Sequence, residues 1–177
     1  MNKIKYLRTV SITCSVIAIF SQYSCTKKIN SSENITIASS GKIESIDPAR
    51  ANTIKSYQLL NALGDTLYEL NNEGELVPKL AASKPIISKD KLKVFIKLKK
   101  NILFHDGTPF DSSSMKFTIE RFQNIGTLNY ILNKKIKSIE TPTKELLIIN
   151  LHNPSSSIEG LLTSINLTPI SPNFYKE

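Results

Sequence analysis

Tryptophan is absent from the 177 residues, and cysteine, histidine and methionine occur twice each. Two cysteines cannot build a disulfide framework, and two histidines leave little for a zinc site. No apolar tract reaches the roughly 18 residues that suggest a spanning helix, which removes the polytopic membrane class. Glycine is sparse, at six residues, and no phosphate-cradling glycine loop, G-x-S-x-G or H-E-x-x-H motif occurs. No acidic residue precedes Glu33. What is present is a 40% hydrophobic content, enough for a core, and 23 Lys+Arg against 15 Asp+Glu, a formal charge of +8. The length allows one domain or slightly more.

The first 24 residues differ in kind from the rest. Lys3, Lys5 and Arg8 are followed by the apolar stretch Val10 to Phe20, and polar residues return at Ser21-Gln22. A basic start, a short apolar run and a small residue before the cut describe an export signal over 1–24. The apolar run makes about 16 Å of helix at ~1.5 Å per residue, about half a hydrocarbon core, so a spanning anchor is disfavoured. Ser24-Cys25 then resembles a bacterial lipobox, with Cys25 the expected lipid-attachment residue. Tyr23 is bulky and Gln22 stands where leucine is usual, so ordinary cleavage with Cys25 as a stray thiol is the alternative. Residues 25–34 read as a flexible tether. Cys14 falls within the removed segment.

Without residues 1–24 the chain keeps 20 positive and 15 negative groups, a net +5. Its lysines alternate with apolar residues in strand-like patterns rather than clustering with stacking aromatics, which argues against nucleic-acid binding.

Along the expected folded part, 35–177, Ile35 to Ser39 reads as a strand and Asp47-Pro48 as a turn. A helix is expected from about Thr53, with Tyr57, Leu60 and Leu63 facing a core. Leu67–Leu70 and Glu75–Pro78 form a strand pair around Asn71–Gly74, and Lys79–Ala82 a single helical turn. Pro85–Ser88 and Lys91–Leu98 flank a polar turn. In the second, Leu92, Val94, Ile96 and Leu98 alternate with Lys91, Lys93, Phe95 and Lys97, a strand with one buried face. Asp111 is an N-cap for a helix that places Met115, Ile119 and Phe122 inward and stops at Gly126. Ile136–Thr141 and Glu145–Leu151 form a hairpin around Pro142-Thr143-Lys144. A helix from about Ser155 to Leu162, capped by Asn153 or Ser155, precedes an extended tail from Ile165. The order is that of a mixed α/β or α+β domain.

Chemistry finds little support. His105-Asp106 sits in a Gly-Thr-Pro turn, where neighbours on an extended chain point apart. His152 has no partner at ligand spacing, and the serines Ser112 to Ser114 suit capping. The expectation is no enzyme, no cofactor and no metal. Asn34-Ile35-Thr36 and Asn166-Leu167-Thr168 match a glycosylation pattern that a bacterial lipobox makes incidental.

Four stretches carry a family resemblance in order: Glu44–Pro48 after the first strand; Asp65–Leu70 through Gly74–Ala81; Leu92–Leu98 on to Phe104-His105-Asp106-Gly107-Thr108-Pro109-Phe110 and the helix through Arg121; and Ile136–Leu151 with Pro154. Together they resemble the extracytoplasmic solute-binding proteins of ABC transporters, family 5, the oligopeptide, dipeptide and nickel group. The resemblance implies a periplasmic-binding-protein-like type II fold, of which this chain would form part of the first lobe. It further implies a peptide or other small solute as ligand, an ABC permease/ATPase complex as partner, and a lipid bilayer as the seat of the anchor. In peptide-binding relatives the segment after the Asp-Pro turn lends backbone groups to the solute. An ungapped count places it at Asn52, Thr53 and Ile54, although those relatives carry an acid and a glycine there. Helix initiation is the other role open to these three. Gly107 and Pro109 are expected as turn residues, Gly107 at positive φ. Members of the family are several times longer. The chain is then either a fragment of a receptor or a truncated lipoprotein remnant without transport activity.

Overall fold

The computed structural model describes residues 36, 38 and 40–175. The expected export signal, Cys25, the tether and most of the strand expected at 35–39 lie outside these residues. The described elements, in order, are α1 (Ile54–Leu63), β1 (Tyr68–Leu70), β2 (Leu76–Pro78), β3 (Ile86–Ile87), β4 (Lys93–Lys97), α2 (Ser112–Ile125), α3 (Asn129–Asn133), β5 (Ile136–Thr143), β6 (Leu146–Leu151), α4 (Ile158–Leu161) and a 3-10 turn (Ile165–Leu167). β1 and β2 pair as a hairpin. The larger sheet runs β3-β4-β6-β5, antiparallel throughout.

The alternation in β4 sets the register of this sheet. Val94 and Ile96 are fully buried opposite Ile149 and Leu147, while Lys93 and Lys97 point outward. A shift by one residue would turn lysines into the core, so the register is strongly specified. α2 covers the inner face, packing on β5 and β6 with Met115 and Ile119 fully buried and Phe122 nearly so. Truncating any of the fully buried aliphatics to alanine is worth about 2–5 kcal/mol.

Asp111 caps α2 as its sequence position suggests. Its Oδ1 accepts from the amides of Ser113 at 2.9 Å and Ser114 at 3.1 Å, and Ser114 Oγ accepts from the Asp111 amide at 3.0 Å. Burial pushes the Asp111 carboxyl up, but the hydrogen bonds from Ser113 and Ser114, with Lys144 nearby, bring it below its ordinary value. Ser112 ties the same helix end to the β5–β6 turn through Oγ to Thr143 O at 2.6 Å. At the far end Gly126 stops the helix. A Cβ there would lie 2.4 Å from the Phe122 carbonyl oxygen, so only glycine lets the chain leave at that angle.

Several expectations are corrected. In α1 the covered stripe is Ser56 and Leu60; Tyr57 is half-buried, and Leu63 is 48% exposed. Small Ser56 lets the helix approach its neighbours closely, and its Oγ serves Thr53 and Ser45. Lys79–Ala82 is not a helical turn: Ala81 bridges to Leu98, and Lys79 and Ala81 amides donate to Leu67 O. β5 runs on through Pro142, moving the hairpin turn to Lys144-Glu145. The helix expected over Ser155–Leu162 shrinks to Ile158–Leu161, with Ser157 at the N-cap and no side-chain cap, so nothing nucleates a longer one. The tail is not extended. It turns through the 3-10 element and is buried from Asn166 to Pro169 and again at Ser171.

Candidate functional site

The tail, the Asp-Pro turn and α2 are fastened into one unit by polar contacts. Arg121 Nη1 and Nη2 donate to Asp47 Oδ1 and Oδ2 at 2.7 and 2.8 Å, a bidentate pair whose side chains are only 11% and 15% exposed. Arg50 adds a second cation 3.8 Å from Asp47. The Asn166 amide donates to Pro48 O at 2.7 Å and Ala51 O at 2.8 Å, clamping the turn from beneath. Thr118 Oγ1, from α2, accepts from the Ile170 amide at 3.1 Å. The Arg121 guanidinium lies 4.5 Å over the Tyr175 ring. Burial pushes the Tyr175 hydroxyl up, the Asp47 charge adds to this, and Arg121 opposes it.

The segment 102–110 forms a tight loop against this unit. Phe104 N donates to Thr108 O, Phe110 N to Ile102 O, and Leu103 bridges to Pro109. Gly107 sits at φ +81°, a conformation in which a side chain is strained. Asp106 faces back to the tail: Ser171 Oγ donates to Oδ2 at 2.5 Å, and Thr108 donates to Oδ1 from its amide and hydroxyl at 2.9 and 2.6 Å. These bonds, that from Ser171 first, hold the Asp106 carboxyl below its ordinary value. Asp106 is therefore an anchor for the tail.

Between this loop, the C-terminal half of α1 and the tail lies an open groove of about 550 Å³. Leu60 and Phe110 are buried at its floor, and Leu63, Leu103 and Phe174 stand exposed at its rim. Phe104 and Phe110 meet edge to face, with ring centroids 6.0 Å apart. Asn61, Asp65, His105, Asp106 and Tyr175 are among the residues that supply polar groups. The size falls in the range of small-molecule sites, about 300–1,000 Å³, and the mix of apolar wall and few polar groups is that of such sites. A second cavity of about 270 Å³ is polar, with Lys79 Nζ spanning Glu69 at 3.3 Å and Asp65 at 3.9 Å. Among the described residues no group of His, Cys, Asp or Glu could hold a metal ion, and no helix is long and apolar enough to cross a membrane.

The sequence-derived candidates lie elsewhere. Thr53 caps α1, its Oγ1 accepting from the Ser56 amide at 3.2 Å, while Asn52 and Ile54 are exposed beside it. None of the three lines the groove. Sequence reasoning missed the roles of Arg121, Asn166 and Tyr175, whose partners lie far along the chain with no spacing to link them.

The model of the bacterial extracellular solute-binding proteins, family 5, matches residues 75–177. The chain belongs to this family. Among curated relatives, a glutathione-binding protein GsiB of Escherichia coli is 28% identical over 142 residues, 79% of this chain and 28% of that protein. A putative ABC transporter peptide-binding protein of Brucella ovis is 35% identical over 85 residues, covering 47% of this chain and 16% of its own. Among solved structures, Listeria monocytogenes OppA bound to peptide superposes with a TM-score of 0.71 at 23% identity, over 77% of this chain and 30% of its own. NikZ from Campylobacter jejuni in complex with Ni(L-His) gives 0.66 at 26% identity, over 76% and 27%. The family-5 chain thus spans less than a third of the length of these relatives. Its fold is part of the periplasmic-binding-protein-like type II architecture, the mixed α/β arrangement expected from the sequence.

Proposed function

We propose that this family-5 chain is part of the solute-binding component of an ABC importer, an extracytoplasmic receptor that captures a peptide or similar small solute for a permease and its ATPase. The family match over residues 75–177 carries this reading. The ligands of these relatives, glutathione, peptide and a histidine complex of nickel, favour solutes derived from amino acids. The groove along α1 is open on one side, so tight enclosure requires a second surface closing over the first. Asn52, Thr53 and Ile54 are offered as backbone contacts to the solute, with the helix N-terminus beside them exposed. Cys25 is offered as the lipid-bearing first residue after removal of 1–24, which places the receptor on the outer side of a membrane. Two or more acyl chains give stable attachment where one does not.

The test is the size and ligand response of the native product. An antibody blot and intact mass on the source cell's membrane fraction should find a lipidated chain several times heavier than 177 residues. Its melting temperature should rise with di- and tripeptides or glutathione, since ligand at ~100 times Kd stabilises by about 2.7 kcal/mol. A lipidated product of only these residues, with no thermal shift, replaces the receptor by a remnant that does not transport.

A further inference from the structure

We infer that the open β3 edge of the four-stranded sheet is a docking surface for an anionic lipid bilayer. Between Lys84 and Lys100 the chain holds seven lysines against a single acid, Asp90. All seven lysines are exposed, and none is ion-paired among the described residues. Asp90 is occupied locally, accepting from Ser88 Oγ at 2.5 Å and the Leu92 amide at 3.0 Å. Among the described residues β3 has a neighbour on one side only, and its two residues, Ile86 and Ile87, are 68% and 39% exposed.

The register puts Ile86 and the β4 lysines on one surface, while Ile87, opposite Val94, lies on the other face of the edge strand. Ile86 lies opposite Phe95, and Lys93 and Lys97 flank Phe95 on the same outward face, about 13 Å apart at ~3.3 Å per residue. The neighbouring strand places Asn150 beside Lys93 and Leu146 beside Lys97, both uncharged. The carboxylate on this face is Glu140, two strands away, where it accepts from the Asn150 amide at 2.7 Å. Alternate lysines such as Lys91 and Lys93 lie about 7 Å apart at ~3.3 Å per residue, within the ~8 Å screening length, so their ammonium groups reinforce one another.

A flexible cationic rim around exposed Ile86 matches a bilayer surface better than an acidic protein. Lipid phosphates are dense and laterally mobile, so they neutralise lysines that hold no fixed geometry. The boundary below them takes Ile86 and the lysine stems. An acidic polypeptide would have to hold its carboxylates in fixed register against ammonium groups carried on flexible stems. The inference is independent of which solute the receptor takes.

Sedimentation of the full chain carrying Cys25→Ser with vesicles tests it without the anchor. Binding is expected to vesicles containing one-third phosphatidylglycerol, not to phosphatidylcholine alone, and to be released between about 0.05 M and 0.5 M salt. The triple variant K91Q/K93Q/K97Q should weaken partitioning on the order of 100-fold, and K134Q/K135Q/K137Q, with the same charge change elsewhere, less than about threefold. Should the triple variant lose its native circular dichroism, each single variant is expected to weaken binding about fivefold. Equal losses in the two triples, or equal binding to both lipids, overturns the inference. Retention on immobilised polyglutamate without vesicle binding assigns the edge to an acidic polypeptide and overturns it as well.

Discussion

Replacing Arg121 with methionine removes the charge that joins α2 to the Asp-Pro turn while keeping much of the apolar stem. Exposed ion pairs contribute about 0–1 kcal/mol, whereas breaking a buried pair costs about 3–5 kcal/mol because the partner's charge is stranded. With exposures of 11% and 15%, Asp47–Arg121 belongs near the lower end of the buried range. Arg50 at 3.8 Å and the Ala49 amide at 3.0 Å still serve the Asp47 carboxylate, which limits the loss. The cation over Tyr175 adds a further ~0.5–1 kcal/mol. The net expectation is a loss of about 3 kcal/mol. With a urea dependence near 2 kcal/mol/M, the unfolding midpoint should fall by about 1.5 M. The double variant D47N/R121M should be no worse than R121M alone, giving a coupling on the order of 1–3 kcal/mol. A midpoint drop below ~0.3 M for R121M, or strict additivity, would refute the assignment of this pair as the main tie between turn and helix.

Gly107→Val should destabilise by about 1 kcal/mol or more, since φ is +81° with open space around the site and the cost is purely conformational; an unchanged urea midpoint sinks the argument. Asp111→Ala should cost about 1 kcal/mol through loss of the capping box, read in the same assay, with Asp111→Ser recovering most of it. Asp106 has a folded pKa below its unfolded value. Its contribution is therefore present above the unfolded pKa near ~3.9 and is lost as pH falls through the folded one. Ser171→Ala should raise the Asp106 pKa in a carboxyl-detected NMR titration and move the acid unfolding limb to higher pH; a stationary pKa removes Ser171 as its main partner.

The parts of the fold that sequence reveals are those governed by local periods. The β4 alternation and the Met115, Ile119, Phe122 spacing each need only a window of a few residues, and the Asp111 cap needs four. The misread parts depend on partners far along the chain. Leu63 has helical spacing, but the groove leaves its side of α1 uncovered. The tail resembles an extended segment until Thr118 and Asn166 are seen to give its backbone, and that of the turn, fixed partners across separations of 52 and 118 residues. Arg121 and Asp47 are 74 residues apart, and no periodicity connects them. The candidate site suffers most from this. Its floor, loop and rim come from three distant stretches, while Asn52, Thr53 and Ile54, the residues an ungapped count selects, fall beside it rather than within it.

The Asn166 clamp also bears on when the chain can finish folding. Its contacts to Pro48 and Ala51 close loops of more than a hundred residues, an entropic cost of about 4 kcal/mol beyond a constant for a flexible loop of that size. Sheet and hairpin can form from shorter closures, but the Asp-Pro turn has no underside until the 3-10 turn has been synthesised. Until then the turn is held from the α2 side, by Arg121 and the Thr127 amide. Any passage that requires a threadable polypeptide, through an exit tunnel or a narrow membrane pore, can work with the segment up to Asn166 before this clasp shuts.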